Sequence, residues 1–144
     1  AVVEALRALG VSRVAVAGPR TEMVTRKEVQ FLSDSGVEVV SSRCLGLGAT
    51  EEERRYIGRV PTETLIRLAK SADRPEAQAI FVSCTQLPTL TIIDRLEKEF
   101  GKPVITSNQA TFWRCLRAIG FNSAIMDHGA LLASMPPLIG ANPG

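Results

Sequence analysis

The sequence predicts an α/β fold: a parallel sheet of four strands, with a fifth, short strand as an extension, covered by helices on both faces. Two observations carry that prediction. Short, nearly continuous apolar segments alternate along the chain with longer segments whose apolar residues recur at helical spacing. The short segments are apolar at successive positions, as strands buried on both faces must be, and helical crossovers supply the cover such a sheet needs.

The elements follow in order. Val2 to Leu9 reads as a short helix ended by Gly10, and "SRVAVAGP" as a buried strand that Gly18 and Pro19 terminate. "TEMVTRKEVQFLSDSG" has a polar start, an apolar stripe through Val24, Phe31 and Leu32, and a closing Gly36, which together predict a capped amphipathic helix. "VEVVSSRCL" is the second strand. A loop rich in glycine and charge, "GLGATEEERRYIGRVP", leads to a helix at Thr62 to Ser71, with Pro61 placed at its entry. "AQAIFVSC" is the third strand, Pro88 to Phe100 a helix, and "GKPVITSN" the fourth strand. In "QATFWRCLRAIG" the spacing puts Phe112, Cys115, Leu116 and Ile119 on one helix face. "FNSAIM" is the short fifth strand, a helical piece lies near Leu131, and a Pro/Gly-rich tail of 136–144 follows a single domain of 1–135.

Composition limits the function. The chain has 144 residues, 45% apolar and 22% charged, enough for one buried core. Its net charge of +2 comes from 17 basic and 15 acidic residues without a basic run, and aromatics are few, so a nucleic-acid footprint is missing. No apolar stretch approaches the roughly 18 residues of a membrane span, and the first residues lack a signal-peptide pattern. Three cysteines without a CxxC spacing argue against a disulfide framework or a zinc site and for free thiols in a reducing compartment, the cytoplasm. The chain starts at Ala1 directly in helix-like sequence, so further chain is expected upstream.

In open α/β sheets, ligands bind beyond the carboxyl ends of the strands. Cys84 lies there, before the helix expected to open at Leu87 and Pro88, where amides and the helix dipole would favour its thiolate. A buried structural role is the common fate of a free cysteine. The polar neighbours Ser83, Thr85 and Gln86 favour function instead. Thr106, Ser107 and Asn108 also stand between a strand and a helix, where amides and hydroxyls can hold a carboxylate, or where Ser107 or Asn108 simply caps the helix. Arg20, just after the first strand, can clamp a carboxylate with two hydrogen bonds. Cys115 and Cys44 are explained by packing, and His128 as a surface or capping residue. Gly46 and Gly48 form a GxG without its third glycine, and Glu51 to Glu53 would repel a pyrophosphate, which speaks against a dinucleotide site. The run "EEERR" reads as a solvated loop or helix face.

"FVSCTQLPTLTIIDRLEKEFGKPVITSNQATFWRCLRAIG" resembles the maleate isomerase and arylmalonate decarboxylase branch of the aspartate/glutamate racemase superfamily. "GVSRVAVAGPRTEMVTRKEVQFLSDSGVEVV", "GLG", "IGRVPTETL" and "DHGALL" are similar to the same branch in the same order, so the resemblance covers nearly the whole chain. It implies a Rossmann-like or flavodoxin-like half of a pseudo-symmetric enzyme, two halves facing across a cleft, with a cysteine from each and no cofactor. This chain resembles the C-terminal half. Cys84 matches that half's cysteine, which in isomerases gives and takes a proton and in decarboxylases protonates the enediolate left by carbon dioxide. Arg20 stands where maleate isomerases place a tyrosine, and Gln86 where asparagine is frequent, so the resemblance leaves decarboxylase-like, amino-acid racemase-like and ectoine-degradation relatives open beside the isomerases. The implied substrate is a small mono- or dicarboxylate; the implied partner is the N-terminal half or a second copy of the chain. Two other readings stay open: a non-catalytic module that binds a small carboxylate or assembles with a partner, and a flavodoxin-like nucleotide binder, which lacks a phosphate loop.

Overall fold

The computed structural model describes residues 1–138. Its elements are α1 (Val2–Ala8), β1 (Arg13–Arg20), α2 (Glu22–Asp34), β2 (Glu38–Leu47), α3 (Glu51–Ile57), α4 (Thr62–Ala72), β3 (Ala79–Val82), α5 (Ile93–Phe100), β4 (Val104–Thr106), α6 (Ser107–Ala118) and α7 (Ala130–Ser134). The four strands form one parallel sheet in the order β2-β1-β3-β4.

Strand pleat divides the core into two layers. Ala15 and Ala17 of β1, Ile80 and Val82 of β3, and Val104 of β4 face one side, against Ile57 of α3, Leu65, Ile66 and Ala69 of α4, and Ile93 and Leu96 of α5. Val14 and Val16, Ala79 and Phe81, and Ile105 face the other, against Leu6 of α1, Leu32 of α2, Trp113 of α6 and Leu131 of α7. Trp113 is fully buried and its indole N–H donates to the Pro136 carbonyl at 3.2 Å, so the largest core side chain leaves no polar atom unpaired. Leu138 packs against the same layer. Residues 139–144 of the expected tail lie outside the described residues.

Several expectations are corrected. β1 does not stop at Gly18 and Pro19 but runs through them to Arg20. Its pairing with β3 ends at Ala17, and its register with β2 shifts between Gly18 and Arg20, so the proline occupies a bulge where its missing N–H costs no ladder bond. The charged loop after β2 contains α3, started by a capping box in which Thr50 and Glu53 satisfy each other's backbone amides. No fifth strand forms at "FNSAIM": residues 121–125 have no regular structure, and the Ile125 amide donates to the Leu132 carbonyl at 2.9 Å.

Two helix faces also differ. On α2, Val24 and Phe31 are exposed, and the face toward the sheet carries Thr25, Glu28 and Leu32. On α6, Phe112, Cys115 and Ile119 are exposed, and Gln109, Ala110 and Trp113 are buried. Packing therefore does not account for Cys115. Cys44, on β2, is half-buried.

Candidate active site

From β1 the chain crosses to β2 on one side, and from β3 to β4 on the other, so the winding reverses between β1 and β3. At such a switch point the connections leave in opposite directions and open a crevice beyond the strand ends. Gly18 to Arg20 and Ser83 to Gln86 border it.

The Ser83 amide donates to the Ala17 carbonyl at 2.8 Å and carries the β3 ladder one residue past the strand. Cys84 then turns the chain with φ +99°, a conformation that suits glycine and costs another residue about 1–3 kcal/mol. Contacts from α6 hold it there. The Cys84 amide donates to Ser107 Oγ at 3.0 Å, and Asn108 Nδ2 donates to the carbonyls of Thr85 at 3.0 Å and Leu87 at 3.4 Å. Between this turn and α5 the backbone closes short turns instead of a helix: the Thr89 amide donates to the Leu87 carbonyl at 2.9 Å and the Ile92 amide to the Thr89 carbonyl at 3.1 Å, and α5 begins only at Ile93. Its dipole therefore does not act on Cys84. The helix start joined to the Cys84 amide is that of α6.

Thr106 is buried, and its Oγ1 accepts the Gln109 amide at 3.1 Å; the N-cap of α6 is this residue and not Ser107 or Asn108. Thr85 and Gln86 are exposed, and Cys84 is half-buried between them and the core layer under α4 and α5. Arg20 Nη2 donates to Gln86 Oε1 at 2.9 Å, bridging the ends of β1 and the β3 loop. A Cβ at Gly48 would lie 3.4 Å from Arg20 Nη1, and Gly48 has φ +104°, so this glycine makes room for the guanidinium. His128 donates no side-chain bond to this cluster; its carbonyl accepts Gln109 Nε2 at 2.7 Å.

Two residues of this edge escaped the sequence reading. Arg54 of α3 donates from Nη1 to the Gly48 carbonyl at 3.1 Å, and its own carbonyl accepts Gln86 Nε2 at 3.5 Å. Glu28 of α2 accepts a short hydrogen bond from Ser83 Oγ, and its Oε2 would lie 3.9 Å from a Cβ at Gly18. Burial pushes the Glu28 carboxyl above its ordinary value, against the opposing pull of the Ser83 hydroxyl. Its helical spacing with Thr25 and Leu32 is the signal that could have found it. The amides of Thr50, Ala49 and Gly48 hold Glu53 below the usual carboxylate range and keep that carboxylate on the loop. Among the described residues Arg20 makes no ion pair, whereas the charge of Arg54 also helps to lower the Glu53 carboxyl, so Arg20 is the cation beside Cys84 without an ion-pair partner. No group of three or more His, Cys, Asp or Glu among the described residues is placed to hold a metal ion.

The sequence profile of a family described as arylmalonate decarboxylase matches residues 1–132. The chain belongs to this family. Over 133 residues it is 33% identical to the maleate isomerase of Nocardia farcinica, covering 92% of this chain and 51% of the relative. Over 122 residues it is 36% identical to the arylmalonate decarboxylase of Bordetella bronchiseptica, covering 83% of this chain and 49% of the relative. The fold matches the crystal structure of a Pseudomonas putida maleate isomerase with maleate, at TM-score 0.86 and 28% identity over 92% of this chain and 52% of that one. It also matches a Nocardia farcinica maleate cis-trans isomerase mutant carrying a covalently bound succinylcysteine intermediate, at TM-score 0.85 and 31% identity over 92% of this chain and 53% of that one. As a member of the arylmalonate decarboxylase family, the chain spans about half the length of the curated relatives it matches.

Proposed function

We propose that this chain is one half of a cysteine-based enzyme that moves a proton to or from the carbon next to a carboxylate, in a small mono- or dicarboxylate, without a cofactor. The observation that carries the reading is Cys84 held at φ +99° at the switch-point crevice of the sheet. A strained backbone persists where the surroundings over-determine it, and such positions cluster at sites of chemistry. Isomerisation as in maleate isomerase and decarboxylation as in arylmalonate decarboxylase both fit a single protonating thiol on this side. In both, Arg20 and the hydroxyls of Thr85 and Ser107 with the amide of Gln86 hold oxygens, while Ser83, Thr106 and Asn108, whose donors or burial tie them to the protein, support the turn. Preorganised donors of this kind stabilise the developing enolate-type charge. The second wall of the cleft comes from an N-terminal half or from a second copy of the chain. We place the protein in the cytoplasm, on the support of its three free thiols; no helix among the described residues is long and apolar enough to cross a membrane.

The test is to co-express the chain with the N-terminal half of a relative and to measure turnover of maleate and of an arylmalonate. Cys84→Ala should lower turnover by about 10²- to 10⁴-fold while substrate affinity changes little. Wild-type turnover in that variant would sink the reading.

One observation favours a second reading, a non-catalytic module that binds a small carboxylate or assembles with a partner. Thr85 and Gln86 are exposed, leaving the edge beside Cys84 open to water, which weakens any electrostatic stabilisation there. Saturable dicarboxylate binding without turnover, with or without the complementary half, would decide for it.

A further inference from the structure

Glu28 is a carboxyl where the fold has no packing need for one. It occupies the middle of the α2 face that meets the sheet, in line with buried Thr25 and Leu32, and reaches the two strand ends that flank the crevice. On the β1 side it lies against Gly18; on the β3 side it bonds Ser83, the residue before Cys84. We propose that Glu28 is a positioning residue whose proton controls how well the Cys84 edge receives an anion. This rests on the reading of that edge as a carboxylate site.

The chemistry follows from what a carboxyl can do in each form. Neutral, Glu28 can donate its O–H to Ser83 Oγ, so the serine holds its place without giving up its own proton, and no negative charge lies beneath the crevice. Ionised, Glu28 only accepts, Ser83 must donate to it, and a half-buried negative charge faces the place where an anionic ligand sits. Only a proton is gained or lost; no bond to carbon is involved. Burial favours the neutral form, and no neighbouring charge is among the causes of its raised value.

The other titratable and charged groups on the elements packed around Glu28 are few. β1 supplies Arg20 at this end, and β2 supplies Arg43 and Cys44. The β3 loop supplies Cys84, and α2 itself supplies Glu22, Arg26 and Lys27, of which Glu22 and Arg26 pair with each other in solvent at 2.7 Å. These groups are common to the wild type and a Glu28→Gln variant, so comparing the two removes their contribution.

The experiment alkylates Cys84 of the full chain with iodoacetate, an anion, and with iodoacetamide, its neutral counterpart, from mildly acidic to mildly alkaline solution, with the modified cysteine identified by mass spectrometry. Both reagents consume the same thiolate, so the ratio of their rates cancels the titration of Cys84 and reads the field at the edge. The expected result is that the iodoacetate-to-iodoacetamide ratio falls about threefold to tenfold as Glu28 ionises, as for a unit charge several ångströms away in partly buried surroundings. Glu28→Gln should keep the low-pH ratio throughout. A wild-type ratio independent of pH, or an equal fall in the variant, overturns the proposal. If the variant does not fold, the carboxyl carbon of Glu28 followed by NMR in the wild type decides. A fall in the reagent ratio that tracks this titration supports the proposal, and a fall centred at a different pH refutes it. Neither measurement needs turnover, so an inert protein would sink the functional reading and leave this one standing.

Discussion

Arg20 and Gln86 join the two strand ends that border the crevice: the guanidinium Nη2 of Arg20 donates to Gln86 Oε1 over 2.9 Å. The contact occupies one of the five N–H donors of the guanidinium and fixes its plane, leaving others for a ligand. Because no carboxylate among the described residues forms an ion pair with Arg20, the arrangement holds a preorganised cation against Gln86, which stands two residues along the loop from the thiol.

Arg20→Lys should therefore weaken dicarboxylate binding by about tenfold or more, since a lysine keeps the charge but loses the planar fork and its hold on Gln86. Gln86→Ala should cost less, because it frees the guanidinium without removing it. Calorimetric titration of maleate into the chain paired with its complementary half checks both. Equal affinity for Arg20→Lys and wild type would remove Arg20 from the site.

The positive φ of Cys84 makes a prediction about stability alone. Cys84→Gly should be more stable than Cys84→Ala by about 1–2 kcal/mol, the reverse of the order in a regular helix or strand. Urea denaturation of the two variants measures it. The opposite order would mean that the turn is not adopted in solution.

Gly129 should resist substitution. It has φ +88°, and an added Cβ would run into Ile93 Cγ2, lie 2.7 Å from Gln109 Nε2 and 3.1 Å from Glu97 Oε1. Those atoms cannot move freely, because Glu97 accepts the amides of Val104 at 2.9 Å and Ala130 at 2.9 Å, and Gln109 donates to the His128 carbonyl. Gly129→Ala should cost about 3 kcal/mol or more, seen as a fall in the thermal midpoint and loss of α7.

Stability should also depend on pH through Glu28. Its folded value is raised above the ordinary 4.5, so the folded chain holds this proton more tightly than the unfolded chain does. The contribution is full below 4.5 and is lost as pH rises from there through the folded value. Relative to wild type, Glu28→Gln should gain stability in neutral solution and gain none in acid. Denaturation at several pH values checks the sign; a variant whose advantage grows toward acid would contradict it.

Four strands and the position of Cys84 just past the third were legible because a buried parallel strand is a run of apolar residues, and such a run stops where the chain meets solvent at the sheet edge. The faces of α2 and α6 were not. Phe112, Cys115, Leu116 and Ile119 satisfy helical spacing as well as Gln109, Ala110, Trp113 and Leu116 do, and only the indole's fit between the sheet and α7 selects the second set. The start of α5 was hidden because Pro88 suits a first helical turn, whereas the chain from Leu87 to Ile92 forms short turns with Thr89 bonded to Leu87 and Ile92 to Thr89. Glu28 was passed over because a charge within an apolar line reads as an exposed position. The strain at Cys84 has no local signature, since "VSCTQ" contains no glycine to announce a positive φ.

The turn at Cys84 also bears on how such a protein changes over generations. A cysteine codon becomes a glycine codon by one base substitution, and glycine is the residue that this backbone accommodates with least cost. Most losses of a reactive side chain leave a hole or a strained neighbour behind; here the loss would relax the chain. Under the proposed function, inert descendants that fold at least as well lie a single mutational step away, and only selection on that chemistry would keep the thiol in place.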